Sequence, residues 1–460
     1  MFLIRWLRGL QSRHLGAATS SGRTPKRIRP HIEVLEGRDL PSTLTVLNTN
    51  DSGPGSLRAE IAAAQSGDTI AFDSSLFVSP PTIQLTSGEL AIDKNLNIQG
   101  AAPKQYQLGL FGYSVRDLNI SAGVKVSVSG VQFDNINWGA GVPVQGGDIY
   151  NAGDLTLTDC TFNSGVAMDQ GGAIYNATGA SLSISHCVIV NCMAGQGGAI
   201  YNAVGASMAV RQSSIGSNSA TSDDSGQGGA IYEAGGTVVI TDSSMWFNTA
   251  TGATALGGAI YVAGGQLQIT GANGSFDNGT FSLDNQLAAG GFLYQAGGDV
   301  VITNSDFVTG LAGDALPLYL DGPALGGTIY EAGGTLSVTN CKLGGGALSG
   351  SVAQGGAIYE AGGTLTLTNC TLFGCIVESS AVAEGGAIYV AGGSLSIQHC
   401  AFENNTAGVG APFQLPDAPD GVGGAIYIAG GSVCISENTS FTGDTASTSN
   451  PDVFGSFTVC

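Results

Sequence analysis

The 460-residue chain predicts an all-β fold, a right-handed parallel β-helix with a short N-terminal capping helix, and three observations carry that expectation. A phrase of Gly-Gly, a residue that is usually small, Ile or Leu, then Tyr occurs ten times between Gly146 and Tyr427. Each copy is followed by a short alternating segment such as Leu155-Thr156-Leu157-Thr158, which reads as a strand with one buried face. No helical stretch separates the copies, so a unit of two or three short strands can bury its apolar side only by stacking on its neighbours.

The ten tyrosines, Tyr150, Tyr175, Tyr201, Tyr232, Tyr261, Tyr294, Tyr330, Tyr359, Tyr389 and Tyr427, are spaced by 25 to 38 residues. One variable residue and an Ala follow each of them. Aligned on the alternating segment, the copies give two inward aliphatics apiece, for example Leu182/Ile184, Val238/Ile240, Leu365/Leu367 and Val433/Ile435. A polar slot comes two residues later (Asp159, His186, Gln212, Asp242, Asn304, Asn340, Asn369, His399), followed by Cys or Ser in eight of ten copies and then a large apolar residue such as Phe162, Ile189 or Phe402. At the ordinary strand spacing, ten coils make a rod about 48 Å long. The 73 glycines suit corners that need positive φ or close backbone approach.

The repeats occupy 146–441, and 442–460 reads as a C-terminal end cap. Residues 44–145 read as an N-terminal cap with the first coils, because Leu57, Ile61 and Ala64 share one face of a short helix between Gly55 and Gly67. Strands follow at Thr69–Phe72, Ile83–Leu85, Leu90–Ile92, Leu96–Ile98 and Val124–Val128. Residues 1–43 read as a basic, disordered targeting segment: the first 40 carry eight Lys/Arg against three acids, whereas the rest carries seven against 32. An acidic rod of that kind is repelled by nucleic acid and by anionic membrane surfaces. No apolar run approaches the roughly 20 residues of a membrane helix.

The Gly-Gly-Ala-Ile phrase, found in seven of the ten copies, resembles the repeats of chlamydial-type polymorphic outer membrane proteins, which implies a right-handed β-helical passenger. The partner motif of that family, Phe-x-x-Asn, matches strictly only at Phe402 to Asn405. The stretch Arg29-Pro30-His31-Ile32-Glu33-Val34-Leu35-Glu36-Gly37-Arg38, with Asn48 to Arg58, is similar to the start of large secreted β-helix repeat proteins of planctomycete bacteria. These resemblances imply export and a place outside the cell or at the cell surface or outer membrane, with a partner that is a surface protein or a glycan.

Candidate chemistry is sparse. Five of nine cysteines, Cys160, Cys187, Cys341, Cys370 and Cys400, share one slot with Ser213, Ser243 and Ser305, which favours a buried ladder over required bridges or a zinc site. Asn304, Asn340 and Asn369 fall in one slot of consecutive copies and are expected to hydrogen-bond to one another. A calcium-dependent lyase needs clustered carboxylates and a base, yet from Gly146 onward the only basic residues are Arg211 and Lys342. The adjacent pair Asp223 and Asp224 would supply the carboxylates if the chain were an enzyme. No cofactor is required, and calcium is left open. Two longer insertions offer loop contacts, Leu318, Tyr319 and Asp321 in one and Phe413 and Asp417 in the other. The expectation is a non-catalytic exported adhesin or scaffold, and the alternative is an extracellular polysaccharide lyase, hydrolase or carbohydrate-binding module.

Overall fold

The computed structural model describes residues 41–100, 107–112, 115–135, 141–272, 278–313, 322–349, 351–379, 381–408 and 421–460. Among them every strand pairing is parallel, and the coils wind into a right-handed solenoid of about 12 turns. Three strands per coil build three faces. One is a 15-stranded sheet running from Thr43–Val46 to Thr458–Val459, and the second a 13-stranded sheet running from Leu90–Ile92 to Val453–Phe454. The third face comprises a 7-stranded and a 17-stranded sheet.

The register sets like over like. Leu155 pairs with Leu182, then Met208, Val238, Leu267, Val300, Leu336, Leu365, Leu395 and Val433 in turn. Both inward aliphatics of every copy are buried, as the alternation predicts. At the first coil the α-helix Leu57–Ala63 buries Leu57 and Ile61 and is capped by Ser56, whose hydroxyl accepts from the Ala59 amide. Lys94 Nζ reaches the Ile61 and Ala64 carbonyls at 3.3 Å, satisfying the other end of that helix. No helix among the described residues is long and apolar enough to cross a membrane.

The Gly-Gly pair has a steric cause. Its first member takes φ between +61° and +68° in all ten copies, and a Cβ at its second member would strike a backbone oxygen of the adjoining coil. The polar slot after the alternating strand is a second left-handed corner: Asp159, His186, Gln212, Asp242, Asn304, Asn340, Asn369 and His399 have φ from +45° to +54°. The Asn304, Asn340 and Asn369 amides do bond in sequence, at 3.2 Å each, but on the exposed outside of that corner.

The buried ladders lie elsewhere. The variable residue after each Tyr points inward, and Asn151, Asn176, Asn202 and Glu233 form a hydrogen-bonded chain with links of 2.8, 2.7 and 2.6 Å. Farther along, the same position holds Gln295, Glu331 and Glu360, all fully buried. At the turn after the large apolar residue, Asn218, Asn248 and Asn278 make another buried ladder, each amide also donating to a carbonyl of the preceding coil.

Burial pushes both the Glu331 and Glu360 carboxyls up to about 8 from 4.5. Protonated, a carboxyl mimics an amide by offering one donor and one acceptor. Below pH 4.5 folded and unfolded chains hold the proton alike. From there to about pH 8 only the folded chain keeps it, so stability falls by about 1.4 kcal/mol per pH unit for each group and levels off above. Glu360→Gln should therefore be neutral near pH 4.5, stabilising at pH 8, and should flatten the slope between, as read from urea midpoints. Ile240→Ala or Leu367→Ala should cost about 2 to 5 kcal/mol in the same measurement, because each empties a fully buried site in the central stack.

Candidate functional site

The strongest surface candidate is a polar groove of about 680 Å³ on the third face, and it contains the carboxylate pair singled out in the sequence. Strands Ser219–Thr221 and Ser225–Gln227 are separated by a three-residue step bearing Asp223 and Asp224. That step is strapped to the next coil through its backbone. The Asp223 carbonyl accepts from the Ala253 amide at 3.2 Å and the Asp224 carbonyl from Thr254 at 2.9 Å. The two side chains are left exposed, and exposed Met168 and Asp169 stand in the same groove.

A row of glutamines also lines it. Gln145, Gln170, Gln196 and Gln227 occupy successive coils and hand their amides on at 2.8, 3.0 and 2.7 Å. Only Gln170, Gln196 and Gln227 border the groove, beside Ser222 and Ser225. Three carboxylates with amides and hydroxyls suit hydroxylated ligands, and they do not converge as a metal-ligand set. Among the described residues no basic side chain lines the groove, so those lining it offer carboxylates for proton transfer and no cationic partner. Arg211 and Lys342 are on other strands, Ser207–Arg211 and Lys342–Ser349. The candidate loop contacts Leu318, Tyr319, Asp321, Phe413 and Asp417 lie outside the described residues.

The tyrosines form one continuous column. Nine successive ring pairs stack with centroids 4.8 to 5.3 Å apart and planes within 14°, and Phe454 extends the stack. Arg116 sits over the Tyr150 ring, 5.2 Å from its centroid. The rings point outward beside the buried Ile, and all but buried Tyr389 are half-buried. Burial pushes the Tyr330, Tyr359 and Tyr389 hydroxyls up to about 12. Ring faces engaged with each other are closed to sugars, so the column offers edges and hydroxyls instead of stacking platforms.

Seven cysteines are free and buried, and Cys434 is joined to Cys460 by a disulfide. The slot ladder is present: the Cys160 amide donates to Cys187 Sγ and the Cys370 amide to Cys400 Sγ, both at 3.4 Å. Cys192 and Cys375 belong instead to the interior asparagine position, where their amides donate to Asn218 and Asn405. Burial pushes the Cys192 and Cys375 thiols up and keeps them protonated and unreactive. The bridge fastens the last strand, Thr458–Val459, beside Ser432–Ile435. Sequence gave no sign of it, since neither Cys434 nor Cys460 falls in a repeated slot.

No family model matches the chain, and no curated protein matches it. Among solved structures it is similar to the crystal structure of the Agl-KA catalytic domain, at 15% identity and a TM-score of 0.38, over 87% of this chain and 63% of that one. The chain thus spans less than two thirds of that domain, and a likeness so distant carries nothing about chemistry.

Thiol titration of denatured, unreduced protein should find seven reactive groups, rising to nine after reduction. A count of nine without reductant would remove the bridge, and a count near one would remove the ladder.

Proposed function

We propose that the protein is an exported, non-catalytic scaffold or adhesin, a stiff rod that presents loops to a surface protein or glycan. The observation that supports this most is the constancy of the rod against the placement of its irregularities. The Tyr column runs through all ten copies without a break. The step at 222–224 and the insertions at 314–321 and 409–420 leave and rejoin strands of one sheet, the 17-stranded one. Ligand contacts concentrate in such segments when a rigid frame carries them. The disulfide is consistent with an oxidising compartment, hence with export.

A second reading, a carbohydrate-binding module or polysaccharide-degrading enzyme, draws on the groove, which Asp169, Asp223 and Asp224 line together with serines and glutamines. The two readings part in one experiment. The full chain is applied to a glycan array and to cultured cell surfaces, and product release from the polysaccharides is followed in parallel. We expect saturable binding without depolymerisation. Binding to a glycan that weakens at least tenfold in Asp223→Asn/Asp224→Asn would place recognition in the groove, and depolymerisation lost in the same variant would overturn the non-catalytic reading.

A further inference from the structure

The interior of the first repeat holds a polar cluster that the fold does not satisfy. In the Gly-Gly-x-Ile-Tyr phrase, x is Ala in seven copies, but in the first copy it is Asp148. Leu118 pairs with Ile149, so Asp117 stands directly over Asp148 in the preceding coil, and the Asp117 amide donates to the Asp148 carbonyl at 3.0 Å. Both side chains are fully buried. None of their four carboxylate oxygens has a hydrogen-bond partner of ordinary geometry, although the Gly112 amide approaches Asp117.

A third buried group points the same way. Asn135 donates its amide to the Val115 carbonyl at 3.1 Å and the Gly147 carbonyl at 2.9 Å. Those carbonyls belong to the two segments that carry Asp117 and Asp148. The amide is thereby fixed between them, and its Oδ1, also fully buried, has no partner. Room for the carboxylates is provided by glycine: a Cβ on Gly165 would lie 2.5 Å from Asp148 Oδ2, and one on Gly112 would lie 2.9 Å from Asp117 Oδ1.

Among the described residues the nearby cations are committed elsewhere. Arg116 spends its guanidinium on Glu89 at 2.8 Å and on the Gly146 and Gln145 carbonyls at 2.9 and 2.7 Å. Glu89 is the residue stacked before Asp117, and it takes the Asn119 amide as well, so of the three acids in this column only the two deeper ones lack partners. Lys125 is exposed and lies 3.6 Å from Asp154. Cys192, close enough to feel the Asp148 charge, gives its thiol hydrogen to the Val190 carbonyl at 3.3 Å.

We propose that Asp117, Asp148 and Asn135 bind one calcium ion inside the solenoid. Five unpartnered oxygens, four anionic and one amide, are a hard-cation donor set and supply most of the roughly six to eight oxygens that calcium takes. No three His, Cys, Asp or Glu side chains converge as a ligand set among the described residues, and the site uses two carboxylates with an amide oxygen instead. Two shared protons are the competing solution: each would serve one donor and one acceptor, the Gly112 amide would meet the fifth oxygen, and metal binding separates the two arrangements. The ion would join the coil before the repeats to the first repeat, where two buried carboxyl groups otherwise face each other without hydrogen-bond partners of ordinary geometry.

The test uses the full chain freed of metal with EDTA, then titrated with calcium or magnesium chloride by calorimetry, with bound metal counted after desalting. We expect one tight calcium equivalent per chain, kept in Asp223→Asn/Asp224→Asn, weakened at least tenfold in Asp148→Asn and in Asp117→Asn, and accompanied by a calcium-dependent rise in melting temperature that those two variants lose. Absence of a saturable equivalent in the unsubstituted protein overturns the site, as does an equivalent that the interior variants retain or the groove variant loses. The stoichiometry of the unsubstituted protein and of the groove variant decides the matter even if an interior variant does not fold.

Discussion

Everything inside this solenoid meets its own counterpart. Parallel coils in register put each side chain about 4.8 Å from the equivalent residue before and after it, so an interior position is acceptable only if its occupant is complementary to itself. Aliphatics satisfy that condition trivially. Amides satisfy it with one donor aimed forward and one acceptor aimed back, as in Asn151, Asn176 and Asn202, and on the outer side the tyrosine rings meet the same demand by stacking. Carboxylates do not, because two anions stacked at this distance repel and neither can donate. The buried acids are thus the places where the fold needs something more. Burial pushes the Glu331 and Glu360 carboxyls up to about 8, which favours the protonated form that can donate, and Asp117 and Asp148 meet the condition through a shared cation in the proposal made here.

That constraint also accounts for what could be read from the chain. The aliphatic alternation, the Gly-Gly corners and the Cys/Ser slot repeat with the coil, and a repeated requirement leaves a repeated residue. The helix with Leu57 and Ile61 inside was legible from one amphipathic turn beside glycines. The interior polar ladder after each tyrosine was not, since its occupants vary among Asn, Glu, Gln, Val and Ile and look like a surface position. Direction resolved it: Ile faces in, Tyr faces out, and the variable residue faces in again. The Asn304, Asn340 and Asn369 column was foreseen as a bonded row, and it is one, but left-handed φ turns those amides outward at the corner.

The candidate sites divide along the same line. Asp223 and Asp224 could be picked out because adjacent acids are rare in this chain, and they do fall in a groove, although Asp169 and the glutamine row reach it from other coils by register alone. Asp148 carried a signal that was present but easily passed over, an Asp in a slot that is otherwise Ala, Phe or Thr. Its partners Asp117 and Asn135 lie before the repeats begin, where no alignment of copies could assign them a slot. A repeat sequence advertises what is shared among coils. Chemistry resides in what departs from it, and a departure becomes intelligible only when the coil above and the coil below are known.

The central claim is that equivalent residues of successive copies stack in register along one axis. Spin labels at Thr156→Cys with Gln268→Cys, and at Thr156→Cys with Thr366→Cys, test it directly, because these outward positions lie four and seven coil steps apart in one sheet and the native free thiols are buried. Pulsed dipolar spectroscopy should give distances near 19 Å and 34 Å, scaling with coil number at about 4.8 Å per step. Two distances that are similar, or that fail to grow with the number of copies between the labels, would contradict the stacked register and the account of the interior built on it.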